Sequence, residues 1–335
     1  METVFRRVLR MTIGGPVSLS PRRIVAALLL SASVLAATPS AAHAAAVEVD
    51  GAVTIPCAGS TLNQDADWFF PAATTPKALV FLQHGFSRSN ANVADLARKY
   101  QAAGFLVFTP NLPSTNLYGC TVNNTGNNTA FLNNVAALLG NGAGGALGTS
   151  YAAAAATAGR SGTPLPTTYV LAGHSAGGEA VTYIANRLRT TFPAAFAGLR
   201  HLQLLDPVKS PSGTNMADGL TGLAGTSLPI TAISSPPYLS NSNASGTVEL
   251  QARIDRPFLG VRLTTGSHCD AEGATTNWLC TLTGGTSKAQ NVSALQTLAV
   301  NWASDAVTGT TTAAYYPGGA YYQNLLTGNV IQTLS

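Results

Sequence analysis

The stretch Thr168-Tyr169-Val170-Leu171-Ala172-Gly173-His174-Ser175-Ala176-Gly177 decides how this chain reads. Its first half is β-branched, aromatic and apolar, the composition of a buried strand. Beyond Gly178, the residues Ala180, Val181, Ile184, Ala185 and Leu188 recur at helical spacing up to Arg189. A G-x-S-x-G pentapeptide therefore sits where a strand turns sharply into a helix. Such a turn strains the serine backbone and exposes its hydroxyl, as a nucleophile requires. Glycines two residues before and two after are needed because side chains there collide across so tight a turn. Ser175 is the candidate nucleophile.

A serine hydroxyl attacks a carbonyl efficiently only when an imidazole takes its proton and a carboxylate orients that imidazole. Of the five histidines, His43 falls in the N-terminal leader discussed below. His84 and His174 lie inside turn motifs beside the expected oxyanion and nucleophile positions, and read as structural. His201 opens a strand at the end away from the site. His268, in Thr265-Gly266-Ser267-His268-Cys269-Asp270, occupies a late loop and is the candidate base. The acid should close a strand lying between serine and histidine. Asp206, ending His201-Leu202-Gln203-Leu204-Leu205 and followed by Pro207, fits best, with Asp218 and Asp255 as alternatives. The next strand, Ile230 to Ile233, runs into Ser234-Ser235-Pro236-Pro237 and offers no carboxylate before Glu249. Glu179, Asp270 and Glu272 read as solvated or capping residues. Two backbone N–H groups should hold the developing oxyanion. One belongs to Ala176, after the nucleophile, and the other to Phe86, which follows His84-Gly85.

The chain has 335 residues, only 10% of them charged, and a formal net charge of +4. Arg22-Arg23, the apolar run Ile24 to Ala37 and the small residues of Ala42-His43-Ala44 form the three regions of an export signal. Residues 1–44 are read as that signal, cut after Ala44, by either the twin-arginine or the general route. The apolar run falls short of the roughly 20 residues a membrane span needs, so no stable membrane insertion is expected. The remaining chain is close to neutral and has no basic stripe for nucleic acid. A secreted or periplasmic monomer acting on a small-molecule or polymeric partner is the expectation. Cys57, Cys120, Cys269 and Cys280 are an even set in an exported chain and read as two disulfides. The pairing Cys57–Cys120 with Cys269–Cys280 is favoured because the second closes a short local loop. The spacings match no zinc site, and neither metal nor cofactor is expected.

Strand patterns over 47–56, 78–83, 105–110, 168–172, 201–206 and 230–233 alternate with helical patterns over 91–103, 129–139, 178–189 and 293–307. That alternation predicts an α/β domain over 45–309, a mostly parallel sheet covered on both faces. The Gly/Ala-rich segment 141–163 reads as flexible or partly ordered, with a weak helix over Ala152 to Ala158. It is the one candidate for a lid. The tail, 310–335, carries Tyr315-Tyr316 and Tyr321-Tyr322 around Pro317-Gly318-Gly319. It reads as a strap packed on the domain, or else as an aromatic substrate-contact surface.

Across roughly 75–309 these residues resemble the α/β-hydrolase superfamily. His84-Gly85-Phe86-Ser87, Tyr100 to Val107, Gly173 to Gly178 and Leu205-Asp206-Pro207-Val208 look like the chlorophyllase pattern, in which the aspartate of the Asp-Pro pair is the acid. Gly266-Ser267-His268 with its nearby cysteine is more similar to bacterial cutinases and polyester hydrolases, where this histidine is the base and a late disulfide is common. Those enzymes carry their acid one strand later, and both branches tend to place arginine or methionine where Ala176 stands. The resemblance implies an α/β-hydrolase fold and a secreted serine esterase of lipase or cutinase type, using an acyl-enzyme and no cofactor. Acyl transfer to an alcohol and non-catalytic ligand binding on the same fold are the other readings.

Overall fold

The computed structural model describes residues 45–335. The export signal expected over 1–44 lies outside the described residues. The first element pair is a hairpin of β1 (Val47–Cys57) and β2 (Ser60–Phe70) joined by Ala58-Gly59. Both linking residues have positive φ, 50° and 77°, the twist a two-residue hairpin turn demands. Only β1 shows in the sequence pattern. The first eight residues of β2, Ser60 to Asp67, are mostly polar and alternate in exposure, and continuous apolar burial begins only at Trp68-Phe69-Phe70.

Beyond the hairpin the chain alternates. It runs β3 (Leu79–Gln83), α1 (Ala94–Ala102), β4 (Leu106–Pro110), α2 (Thr129–Asn141), α3 (Ala146–Thr157) and β5 (Tyr169–His174). Then come α4 (Ala176–Thr191), the short α5 (Pro193–Phe196), β6 (Leu199–Leu205), α6 (Asn215–Leu223), β7 (Ile230–Ser234) and α7 (Ser245–Arg253). The last elements are β8 (Gly260–Leu263), α8 (Trp278–Gly284), α9 (Ala289–Thr308), α10 (Ala320–Thr327) and β9 (Ile331–Leu334). The described strands form one sheet in the order β1-β2-β4-β3-β5-β6-β7-β8-β9. The six inner strands from β4 to β8 are parallel, and the pairings at both edges are antiparallel.

Parallel strands covered on both faces bury every side chain, and β3, β4 and β5 do so throughout. Alternation splits them between two cores. Phe81, Phe108 and Leu171 face α2, α3, α4 and α6, whereas Val80, Val107 and Val170 face α1 and α9. Among the described residues no helix is long and apolar enough to cross a membrane.

One sequence expectation needs correction. Segment 141–163 is neither flexible nor a lid. It holds α3, whose Leu147, Tyr151, Ala154 and Ala155 pack into the core, and Ser150 Oγ accepts from Trp68 Nε1 at 3.0 Å. The alanine run read as only a weak helix is built of the best helix former. Its four core residues lie at i, i+4, i+7 and i+8, one helical face. The tail packs against the domain and adds a strand to its sheet. β9 extends the sheet beside β8, and Tyr322 is buried with its hydroxyl 2.6 Å from Thr333 Oγ1. Phe258 touches Trp302, Tyr316 and Tyr322 there in edge contacts of 5.5 to 6.2 Å between ring centroids. The tyrosines of the tail line no part of the cleft described next.

Candidate active site

Strand β5 ends at His174, and α4 begins at Ala176. Between them Ser175 takes φ 56° and ψ −125°, a conformation that L-residues rarely adopt. The surroundings hold it there. Its N–H donates to Leu205 O at 3.1 Å, and its carbonyl accepts from Val208 N at 3.0 Å. A Cβ on Gly173 would lie 2.3 Å from Gly177 O, and one on Gly177 would lie 2.5 Å from His84 O. Both neighbours are backbone and cannot give way. The glycines are obligatory for packing, whatever their φ.

Asp206 closes β6, beside β5 in the sheet, with a positive φ of 42° and its N–H on Ile233 O. His268 comes from the loop after β8, its own N–H bonded to Gly284 O at 3.0 Å. The structure brings the three side chains into one line. His268 Nδ1 is 2.6 Å from Asp206 Oδ2, and His268 Nε2 is 2.9 Å from Ser175 Oγ. The alternatives Asp218 and Asp255 are not part of this line. Asp218 accepts from Thr214 at the start of α6.

Asp206 is buried, which by itself pushes its carboxyl pKa up. The hydrogen bond and charge of His268 and the Ser235 N–H at 2.8 Å outweigh that and hold it below the usual carboxylate value. Asn241 Nδ2 adds contacts of 3.3 Å to both carboxylate oxygens. Asn241 is itself fully buried, its Oδ1 accepting from Tyr238 N and Ala244 N at 2.8 Å. Sequence reasoning missed Asn241 and Ser235. The only cue was the carboxylate-free loop after β7, which here supplies donors to the Asp206 carboxylate.

His174 and His84 are both buried and neutral. Burial, with His268 nearby, lowers His174 to about 3, and burial lowers His84 to about 4. The Nδ1 of His174 has no partner, so its proton sits on Nε2 and donates to His268 O at 2.8 Å. A residue read from sequence as structural thus holds the backbone of the candidate base. His201, at the far end of β6, meets only Thr231 Oγ1.

Ala176 N–H is the first of α4 and Phe86 N–H lies in the turn after β3. Neither is taken by a protein acceptor among the described residues. Gly85, just before Phe86, packs so closely on Ser175 that a Cβ there would lie 2.6 Å from the serine Cβ. Both N–H groups thus come from backbone adjoining Ser175. A cleft of about 570 Å³ opens over them, walled by Phe86, Val208 and Leu279 on one hand and Asn123, Asn124 and Ser210 on the other.

Glu179, Asp270 and Glu272 are not solvated, contrary to the sequence reading. Each is at most 2% exposed. Glu179, in the first turn of α4, accepts from Ser210 N at 2.6 Å, and burial pushes its pKa up to about 7. Asp270 does cap its turn, accepting from Ser267 N at 2.8 Å. Glu272 forms a two-pronged ion pair with Arg88, with Nε–Oε1 and Nη2–Oε2 both 2.5 Å. Among the described residues Arg88 is the one arginine or lysine lining the cleft, and this pair neutralises it. The disulfides are Cys57–Cys120 and Cys269–Cys280, the second closing the loop that begins beside His268.

No protein-family model matches the sequence. Among curated proteins none is found similar to it. The structure is similar to a ferulic acid esterase from Streptomyces cinnamoneus, at a TM-score of 0.55 and 11% identity, over 89% of this chain and 98% of that one. It also aligns with a fungal esterase from Rhizomucor miehei (TM-score 0.48, 11% identity, 79% and 85% of the two chains). A thermostable carboxylesterase from a metagenomic library aligns with a TM-score of 0.45 and 14% identity, over 79% and 90%. At such identities likeness speaks to architecture, and the fold is that of the α/β-hydrolases.

Proposed function

We propose that this chain is an exported serine esterase acting on uncharged carboxylic esters. The observation that carries the proposal is the unbroken line Asp206–His268–Ser175, with contacts of 2.6 and 2.9 Å, at the floor of an open cleft. In the resting state His268 Nδ1–H donates to Asp206 and Nε2 accepts from the Ser175 hydroxyl. Ser175 Oγ attacks the ester carbonyl while its proton passes to His268 Nε2, and Asp206 stabilises the imidazolium that forms. The Phe86 and Ala176 N–H groups receive the developing oxyanion. Each such donor is worth about 10²–10³ in rate. The imidazolium then protonates the departing alcohol. Water, deprotonated by the same imidazole, cleaves the acyl-enzyme.

An uncharged substrate follows from the lining, where the one cation is already paired with Glu272. The mouth carries apolar groups. Phe86, 48% exposed, and Leu279 of α8 both line it. Such a mouth suits lipid-like or polymeric esters. Export agrees with two disulfides and with the leader-like sequence over 1–44.

The test is hydrolysis of p-nitrophenyl esters from acetate to palmitate by the mature protein and by Ser175→Ala. Turnover that vanishes in the variant is expected, and the chain-length profile separates short-acyl from lipase-type preference. An alcohol acceptor in the same assay reveals acyl transfer. Turnover that persists in Ser175→Ala refutes the proposal.

A further inference from the structure

The Phe86 N–H and the His268 imidazole must meet one reacting carbonyl, yet they come from distant parts of the sheet. Phe86 follows β3 and His268 follows β8, four strand steps apart in the order β3-β5-β6-β7-β8. At about 4.8 Å per step that is roughly 19 Å between strand axes. The end of β5 anchors each loop separately, through His174 Nε2 on the His268 carbonyl and through Gly85 packed on Ser175, but strand spacing does not fix one loop against the other. Their loops must lean together across β5, and something must hold them there.

Arg88 lies two residues after Phe86, in the turn that Arg88 N closes on Gly85 O at 3.3 Å. Glu272 lies four residues after His268, in the 3₁₀ turn Asp270–Thr275, with its N–H on Cys269 O. The guanidinium takes both carboxylate oxygens of Glu272 and gives a third bond, Nη1 to Asn277 Oδ1 at 3.0 Å. That same Asn277 oxygen accepts from Cys280 N and so caps α8. The side chains of Arg88 and Glu272 are 7% and 0% exposed. A buried ion pair is a poor source of stability, because desolvation of both charges offsets their attraction. What a forked, planar pair supplies is fixed geometry. We propose that Arg88 and Glu272 are positioning residues, a clamp that keeps the Phe86 N–H and the His268 imidazole in register over Ser175. The clamp rests on the esterase reading given above. Further from the serine, Thr275 bonds Asn92 and Ala274 bonds Asp95 across the same two segments. The loops therefore stay associated when the pair is cut, and the end nearest Ser175 is what loosens.

The experiment compares Arg88→Met, Arg88→Lys, Glu272→Gln and the apolar double variant Arg88→Met/Glu272→Leu with wild type. The readouts are kcat and KM on a p-nitrophenyl ester and the melting temperature. A misplacement of about 1 Å costs on the order of 10²-fold in rate. We expect kcat to fall about 10- to 100-fold in each variant, with KM within about twofold. Arg88→Lys should fail to rescue, because an ammonium keeps the charge and loses the fork. In the double variant the melting temperature should return toward wild type while kcat stays low. If kcat recovers together with stability, or if every folded variant keeps kcat within about twofold, the clamp is refuted. Should the double variant not fold, Glu272→Gln decides alone, since it keeps the side-chain shape and one acceptor oxygen. A wild type without Ser175-dependent turnover overturns the esterase reading first and the clamp with it.

Discussion

Replacing Asp206 by asparagine should cost far more than one hydrogen bond, because the surroundings dictate which way the new amide turns. Asn241 Nδ2 lies 3.3 Å from both Asp206 oxygens, but the Ser235 N–H, 2.8 Å away, donates to Oδ1 alone. An amide NH₂ placed at Oδ1 would meet that donor with a donor. The asparagine therefore keeps its oxygen on that side and points its NH₂ at His268 Nδ1, 2.6 Å away from the present Oδ2. Now Nδ1 must accept, and the imidazole proton moves to Nε2. That nitrogen, 2.9 Å from Ser175 Oγ, can then no longer take the serine proton. A histidine locked in the wrong tautomer loses about 10⁴ in kcat, or about 5 kcal/mol of transition-state stabilisation. The fold should survive, since the substitution is isosteric and Ser235 and Asn241 keep an acceptor. The assay is p-nitrophenyl ester turnover at pH 7 to 8 beside the Ser175→Ala baseline, with thermal melting as the control for folding. A folded Asp206→Asn protein within tenfold of wild-type kcat would falsify the assignment of Asp206 as the residue that sets the tautomer.

Two further outcomes follow from buried groups near the site. Burial raises Glu179 from an ordinary 4.5 to about 7, so the folded protein holds its proton more tightly than the unfolded chain does. Its stabilising contribution is then full below about 4.5 and is lost as pH rises toward 7, by roughly 3 kcal/mol at 1.36 kcal/mol per pH unit. Glu179→Gln should therefore raise the melting temperature at pH 8 and leave it unchanged at pH 4. An equal shift at both values would contradict the reasoning. Reduction of Cys269–Cys280 frees a loop with a sequence separation of 11, worth roughly 3 kcal/mol of chain entropy. Because His268 adjoins Cys269 and bonds Gly284, mild reduction should lower turnover before the circular dichroism of the helices melts. Unchanged turnover with both thiols counted as free would sink that prediction.

Local patterns made the parallel heart of the fold legible. β3, β4, β5 and β7 are mostly apolar runs bounded by turn residues, β6 is apolar at Leu202, Leu204 and Leu205, and the helices between them repeat at the helical period. The chain order of Ser175, Asp206 and His268 was legible for the same reason, because each sits at the end of such a run or in the loop that follows. At the edges of the sheet only β1 was legible; β2, β8 and β9 were not. The polar half of β2 acquires strand geometry from pairing with β1, and β8 and β9 complete each other across 67 intervening residues, from 264 to 330.

Sequence alone determined the strand–serine–helix turn at Ser175, because a strand, a serine between spaced glycines and a helix are consecutive and their sterics are local. It also narrowed the candidate base to His268, by elimination among few histidines. Tertiary structure alone decided which carboxylates leave water. Glu179 and Glu272 look like surface residues in sequence, yet one is enclosed beneath Ser210 and the other meets Arg88 from 184 residues away. It decided, too, that Asn241 would hold the Asp206 carboxylate and that His174 would anchor the His268 backbone. The reason is physical. The burial and hydrogen-bond partners that set a group's charge and direction come from segments far off in the chain, and no local period or spacing encodes them.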